Sequence, residues 1–189
     1  RGRAVQPAWA ARANVGVFGH EFPDDGPRVA VLIPSRNNRD VLARCIDSLS
    51  RTTYRAYEIV VIDNGSDDAA TCAYLSRLPH RVLRVPNAGS GFSFAHVNNV
   101  AANEVEAEYL LFLNDDTEVL EPRWLSCMMG YAQMPGVGAV GAKLTYPDGR
   151  IQHAGIVHGY YDGLAGPAFR LAPAEDRGYL SYLDVARNY

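Results

Sequence analysis

The chain has 189 residues, nearly half of them apolar, which suits one domain with a sizeable core and a trailing element. Its 18 Lys and Arg stand against 21 Asp and Glu, a formal net charge of -3 with no long run of one sign. That balance excludes general nucleic-acid binding, so an anionic ligand would be held locally by backbone amides, a few cations or a metal ion.

Residues 1–28 read as an irregular segment without the continuous apolar centre of a secretory signal. The absence of an initial Met predicts a piece of a longer protein. A turn at 23–27 (Pro-Asp-Asp-Gly-Pro) precedes residues 29–33, an unbroken apolar run closed by Pro34. Such a run suits a strand buried on both faces of a parallel sheet. Asn37, Asn38 and Asp40 then offer helix N-caps, and Val41, Leu42, Cys45, Ile46 and Leu49 follow at helical spacing. The unit repeats. Residues 58–62 form a second buried strand, Asp63-Asn-Gly-Ser66 a turn, and Ala73, Leu75 and Leu78 mark a second helix. Residues 81–85 predict a third strand, 87–91 a Gly-bearing loop and 92–103 a third helix. Residues 109–113 are the fourth and most apolar strand, followed by Asn-Asp-Asp-Thr at 114–117. A fourth helix begins near Pro122 and carries Trp124, Leu125, Met128, Met129 and Ala132.

Alternation of strand and helix predicts an α/β fold, a mostly parallel sheet covered on both faces. After Gly136 the rhythm changes. Residues 137–142 and 151–157 predict an antiparallel hairpin turning at Tyr146-Pro-Asp-Gly149, and 160–189 predict loop with a short helix at most. Cys45, Cys72 and Cys127 are too few and too scattered for a disulfide framework or a Cys-x-x-Cys metal site, so reduced, structural thiols and a cytoplasmic setting are expected. No stretch of about eighteen apolar residues occurs, and no transmembrane helix is predicted.

Open parallel sheets bind ligands outside the carboxyl ends of their strands. Four such ends carry polar residues here: Pro34-Ser-Arg-Asn37, Asp63-Asn64, Asn87-Ala-Gly89 and Asn114-Asp-Asp116. Two adjacent carboxylates at the end of the most apolar strand concentrate charge where it is costly without a cation. All-oxygen ligands favour Mg or Mn, which complete their shells with water and substrate phosphate. A solvated turn is the competing reading of that segment, and a helix-capping Asx turn that of Asp63. His153 and His158 lie on or near the last strand, and His153 is a candidate further metal ligand. Arg36, at a strand end, could reach a phosphate. The Gly-x-Gly-x-x-Gly at 136–141 follows a helix and enters a strand, the reverse of a dinucleotide site. Walker and Gly-x-Ser-x-Gly motifs are missing.

Taken in order, residues 29–37, 58–66, 87–99 and 109–119 resemble the family 2 inverting glycosyltransferases with a GT-A fold. Leu-Asn-Asp-Asp-Thr-Glu-Val at 113–119 is similar to that family's Asp-x-Asp-type motif, and 137–155 to a bacterial subgroup that builds O-antigen and other cell-surface polysaccharides. The resemblance implies an N-terminal segment (1–28), a nucleotide-sugar-binding GT-A domain (29–159) and the start of an acceptor region (160–189). It implies Asp116 as metal ligand, with Asp115 as a candidate for the same role beside the His153 read from its strand. Pro34, Ser35, Arg36, Asp63, Asn64, Asn87, Phe92, Asn98 and Asp115 would bind the donor. Many relatives have Asp where this chain has Asn64. The implied partners are a nucleoside-diphosphate sugar and a glycan or lipid-linked acceptor, met in the cytoplasm or at the inner face of the membrane. The family's downstream catalytic carboxylate has no convincing match, Glu175-Asp176 included, so the base is expected beyond Tyr189. A catalytically inactive nucleotide-sugar-binding module is the alternative. A nucleotidyltransferase fits less well, because Pro34-Ser-Arg-Asn-Asn38 lacks glycines.

Overall fold

A computed structural model describes residues 6–9, 18–86, 91–160, 163–178 and 182–186. The chain divides into two compact units, Asp24–Ser126 and, separately, Arg1–Pro23 with Cys127–Tyr189.

The first unit is the predicted parallel sheet. To number the strands in chain order, β1 (Gln6–Trp9) and β2 (Phe18–Glu21) come first and belong to the other unit. The sheet itself comprises β3 (Val29–Ser35), β4 (Tyr57–Asp63), β5 (Arg81–Arg84) and β6 (Tyr109–Phe112). Its order is β5-β4-β3-β6, every pair parallel. The chain steps outward from β3 through β4 to β5 and then returns to the far side of β3 as β6. The order reverses between β3 and β6, which is where such sheets leave a crevice.

Three helices connect these strands: α1 (Arg39–Leu49), α2 (Ala69–Leu75) and α3 (Phe94–Asn103). Successive side chains of a strand face opposite sides. On one side Ala30, Leu32, Val60 and Ile62 pack with Val97 and Ala101 of α3. Val31, Ile33, Ile59 and Val61 point the other way and are just as buried, matched by the Leu42-Cys45-Ile46-Leu49 stripe of α1. A fully buried leucine such as Leu42 or Leu49 contributes about 1.5–3 kcal/mol relative to exposure. Burial on both faces explains the unbroken apolar runs of β3 and β4. The most apolar strand, β6, lies at the sheet edge instead, with Leu110 and Phe112 exposed. Asn38 occupies the N-cap of α1 but makes no side-chain cap bond, contrary to expectation; its amide is used elsewhere. Asp68 does cap α2, accepting from the Thr71 amide at 2.7 Å.

α4 (Trp124–Ala132) carries the chain out of this unit. In the other unit, β7 (Leu144–Thr145) pairs with β8 (Ile151–His153), and β9 (Ile156–Tyr160) with β10 (Leu164–Pro167), both antiparallel. The expected turn at 146–149 is present, closed by the Gly149 amide on the Tyr146 carbonyl at 3.0 Å. The strand expected at 137–142 is not. Its place is taken by the two-residue β7, because Gly136, Gly138 and Gly141 interrupt the apolar run. The region expected to be loop holds β10, and the N-terminal segment expected to be irregular holds the antiparallel β1–β2 pair.

Cys45, Cys72 and Cys127 form no disulfide, and only Cys45 is buried; Cys127 is exposed and does not act as a core residue. Among the described residues no helix is long and apolar enough to cross a membrane.

Candidate functional site

Three neighbouring strands deliver polar side chains to one edge of the sheet. β3 ends at Ser35, which is in register with Asp63, the last residue of β4. The Asn64 amide donates to the Ser35 carbonyl at 3.0 Å, which extends that pairing past the strand end. β6 ends at Phe112, and the chain turns at once through Asn114, Asp115 and Asp116, with the Thr117 amide on the Asn114 carbonyl at 3.3 Å. The Ser35 hydroxyl donates to Oδ2 of Asp115 at 2.7 Å and the side-chain Nδ2 of Asn38 to the same oxygen at 3.1 Å. Both bonds fall on Oδ2, which leaves Oδ1 of Asp115 available. Asp116 beside it is exposed. Among the described residues neither carboxylate pairs with a cation.

Asp63 and Asn64 are each only 4% exposed. Burial of such groups is costly unless their polar atoms are satisfied. Oδ1 of Asp63 accepts from the Ser66 amide at 2.8 Å, the Asx turn that the sequence offered as a competing reading. Gly65 makes that turn possible with φ at +78°. Oδ2 of Asp63 stands 3.9 Å from the Arg84 guanidinium. Asn64 is less well provided for, because its Oδ1 is buried with no hydrogen-bond partner among the described residues. Asn98 on α3 has the same deficit. Its amide nitrogen donates to the Phe94 carbonyl at 2.8 Å, while Oδ1 finds nothing. Two orphaned acceptors are unusual in a native interior, and a ligand donor would relieve them.

The negative field at this edge is visible on Cys45. Burial first, and then Asp115, Asp116 and Glu118, push its thiol up to about 12. It stays protonated and lies 3.8 Å from the Asn114 carbonyl, under the acidic turn. A site of this kind suits a hard cation. Among the described residues no three metal-ligating side chains come together, and Asp115 and Asp116 are the two adjacent carboxylates of this turn. That fits Mg or Mn, which keep waters and take phosphate oxygens, and does not fit a closed structural zinc site.

The other residues singled out from the sequence fall as follows. Pro34 is buried within β3. Arg36 is exposed, 3.9 Å from the Asp67 carboxylate. Phe92 is 58% exposed just ahead of α3. Asn87 lies outside the described residues. His153, on β8, belongs to the other unit. Sequence reasoning missed Asn38, Ser66 and Arg84. Each is an ordinary polar residue near a strand end, and only the folded loops reveal what it touches.

The model of the family described as glycosyl transferase family 2 matches residues 30–176. The chain belongs to that family. Among similar glycosyltransferases and their relatives, the uncharacterized protein y4gI of Sinorhizobium fredii is 43% identical over 172 residues, 89% of this chain and 19% of its own length. The O-antigen biosynthesis protein RfbC of Myxococcus xanthus is 38% identical over 165 residues, 86% of this chain and 13% of its own length. The chain thus spans less than a fifth of either curated relative. The solved mannosyltransferase PcManGT of Pyrobaculum calidifontis, in complex with GDP-Man and Mn2+, matches 65% of this chain and 36% of its own at 24% identity, with a TM-score of 0.55. That likeness establishes the fold of this family 2 glycosyltransferase domain as GT-A.

Proposed function

We propose that this chain is the donor-binding part of a metal-assisted, inverting glycosyltransferase that takes a nucleoside-diphosphate sugar and transfers the sugar to a glycan or lipid-linked acceptor. Residues 29–159 form the donor-binding region in this reading, and 160–189 begin the acceptor side. The observation that carries it is the bond from Ser35 to Asp115, which gathers the ends of β3 and β6 into one acidic edge beside Asp63 and Asn64. Family membership, and relatives that include an O-antigen biosynthesis protein, support a role in bacterial cell-surface polysaccharide. Cysteines outside any disulfide accord with a reducing, cytoplasmic setting.

In this assignment Asp116, helped by Oδ1 of Asp115, holds the divalent cation, Mg or Mn. When bound, the cation neutralises charge on the departing diphosphate. Asp63 and Asn64 face the nucleobase. The orphaned Oδ1 of Asn64 accepts an N–H from it, and Oδ2 of Asp63 remains for a base or ribose donor. Arg36, Phe92, Asn98 and Asn87 flank the nucleotide, with Pro34 and Ser35 against base and ribose. An acceptor hydroxyl, giving up its proton to a general base, forms the new bond to the anomeric carbon as the bond to the diphosphate breaks in line, which inverts that carbon.

Calorimetric titration of UDP, dTDP and GDP into the folded chain, with and without Mn, tests this. At least one nucleotide should bind, and Mn should raise its affinity at least about tenfold, or 1.4 kcal/mol. Asp116→Ala should remove that gain while the melting temperature stays within a few degrees. Binding of none of the three with Mn present would refute the proposal.

A further inference from the structure

Asn37 holds a left-handed backbone, φ +51°, although it is not glycine. That conformation is strained for a residue that carries a Cβ and persists only where the surroundings enforce it. Here four hydrogen bonds do so. The Asn37 amide donates to the Ser66 hydroxyl at 3.1 Å. Oδ1 of Asn37 accepts from the amides of Asp67 and Asp68, both at 3.0 Å. Nδ2 donates to the Asp67 carboxylate at 2.6 Å. One residue of the β3–α1 loop thereby grips the whole entry to α2.

These bonds are not spent on building the helices. α2 has its own cap in Asp68, and the N-cap position of α1 falls on Asn38. The strands are already joined past their ends by Asn64 and Ser35. What Asn37 adds is a fixed relation between two loops with different tasks. On one side Ser66, 2% exposed, donates its amide to Asp63. On the other side the next residue, Asn38, donates to Asp115. A continuous path runs Asp63–Ser66–Asn37–Asn38–Asp115.

We propose that Asn37 is a positioning residue that couples the nucleobase end of the donor site to its metal end. The inference rests on the donor-binding assignment above and goes beyond it. Binding energy of two parts of one ligand is fully realised only if both subsites are in register. Without Asn37 each part should still bind, but the cation should no longer strengthen nucleotide binding to the same degree.

The test compares the unmodified chain with Asn37→Gly, which keeps the left-handed backbone and removes only the side chain. UDP, dTDP and GDP are titrated with and without Mn, and hydrogen exchange is followed at the Asp67 and Asp68 amides. For the variant we expect faster exchange at those amides and at least about a fivefold fall in the Mn-linked gain in nucleotide affinity. Affinity without Mn should change by less than about twofold. Ser66→Ala removes only the hydroxyl that accepts from the Asn37 amide; it should lower the gain in the same direction by less, and it keeps the question open to test if Asn37→Gly does not fold. A folded Asn37→Gly or Ser66→Ala protein that retains the full gain overturns the coupling role alone. A lack of Mn-linked binding in the unmodified chain overturns the donor assignment itself, and with it this inference.

Discussion

Asp115 and Asp116 are neighbours in sequence and differ in what holds them. Asp115 is half-buried and anchored on one oxygen by Ser35 and Asn38; Asp116 is exposed and unanchored. The first can orient a ligand with little loss of side-chain freedom, and the second can adjust to an ion. A different residue-scale constraint operates at Gly130 on α4. A Cβ there would stand 2.0–2.4 Å from three ring carbons of Phe22, which is itself 5% exposed. Alanine normally improves a helix over glycine by about 1 kcal/mol. Overpacking of a rigid ring costs about 1–3 kcal/mol and wins here. Gly130→Ala should therefore lower stability by roughly 1–2 kcal/mol in denaturant melts, and in a Phe22→Ala background it should be neutral or stabilising. The acidic pair was legible in sequence because it closes the most apolar strand. The anchors of Asp115 were not, because Ser35 and Asn38 lie 80 and 77 residues away and nothing local announces the contact.

At the scale of elements, Asp24 ties the approach to β3 to two other segments. Its Oδ1 accepts from Ser126 at 2.6 Å and from Thr53 at 2.9 Å, and Arg123 stands at 3.6 Å. The Ser126 bond above all, with Thr53 and the Arg123 charge, holds this carboxyl below its ordinary value of 3.8, against an opposing effect of burial second in size only to the Ser126 bond. A depressed folded pKa adds stability above the unfolded value, and that stability is lost as pH falls through the folded one. Asp24→Asn should then destabilise by about 1 kcal/mol at pH 7, with a smaller penalty near pH 3, as read by denaturant melts at both pH values. The β/α alternation was legible from periodicity, and β3, β4, α1 and α3 fall within a few residues of expectation. The hairpin turning at 146–149 was legible from its Tyr-Pro-Asp-Gly turn, but the extent of its strands and the β1–β2 and β9–β10 pairs were not. β7 has two residues and β8 three, too short for a period-two signal, and β1, β2 and β10 carry Pro or Gly, which reads as loop.

At the scale of the whole molecule, a net charge of only -3 leaves ligand choice to local groups. The sheet supplies the rigid frame, and strand order places its crevice between β3 and β6. In the proposed site, specificity would rest on a handful of loop residues, and these carry no periodic signal of the kind that made the fold and family readable from sequence. The edge formed by Ser35, Asp63, Asn64, Asp115 and Asp116 is proposed to grip a nucleoside diphosphate through a cation. The most direct measurement is a crystal structure of the chain grown with Mn and whichever of UDP, dTDP or GDP binds best. An anomalous Mn peak is expected at bonding distance from Asp116 and from diphosphate oxygens, with the base donating to Oδ1 of Asn64. Nucleotide seated elsewhere on the chain, or Mn bound away from Asp115 and Asp116, would contradict it.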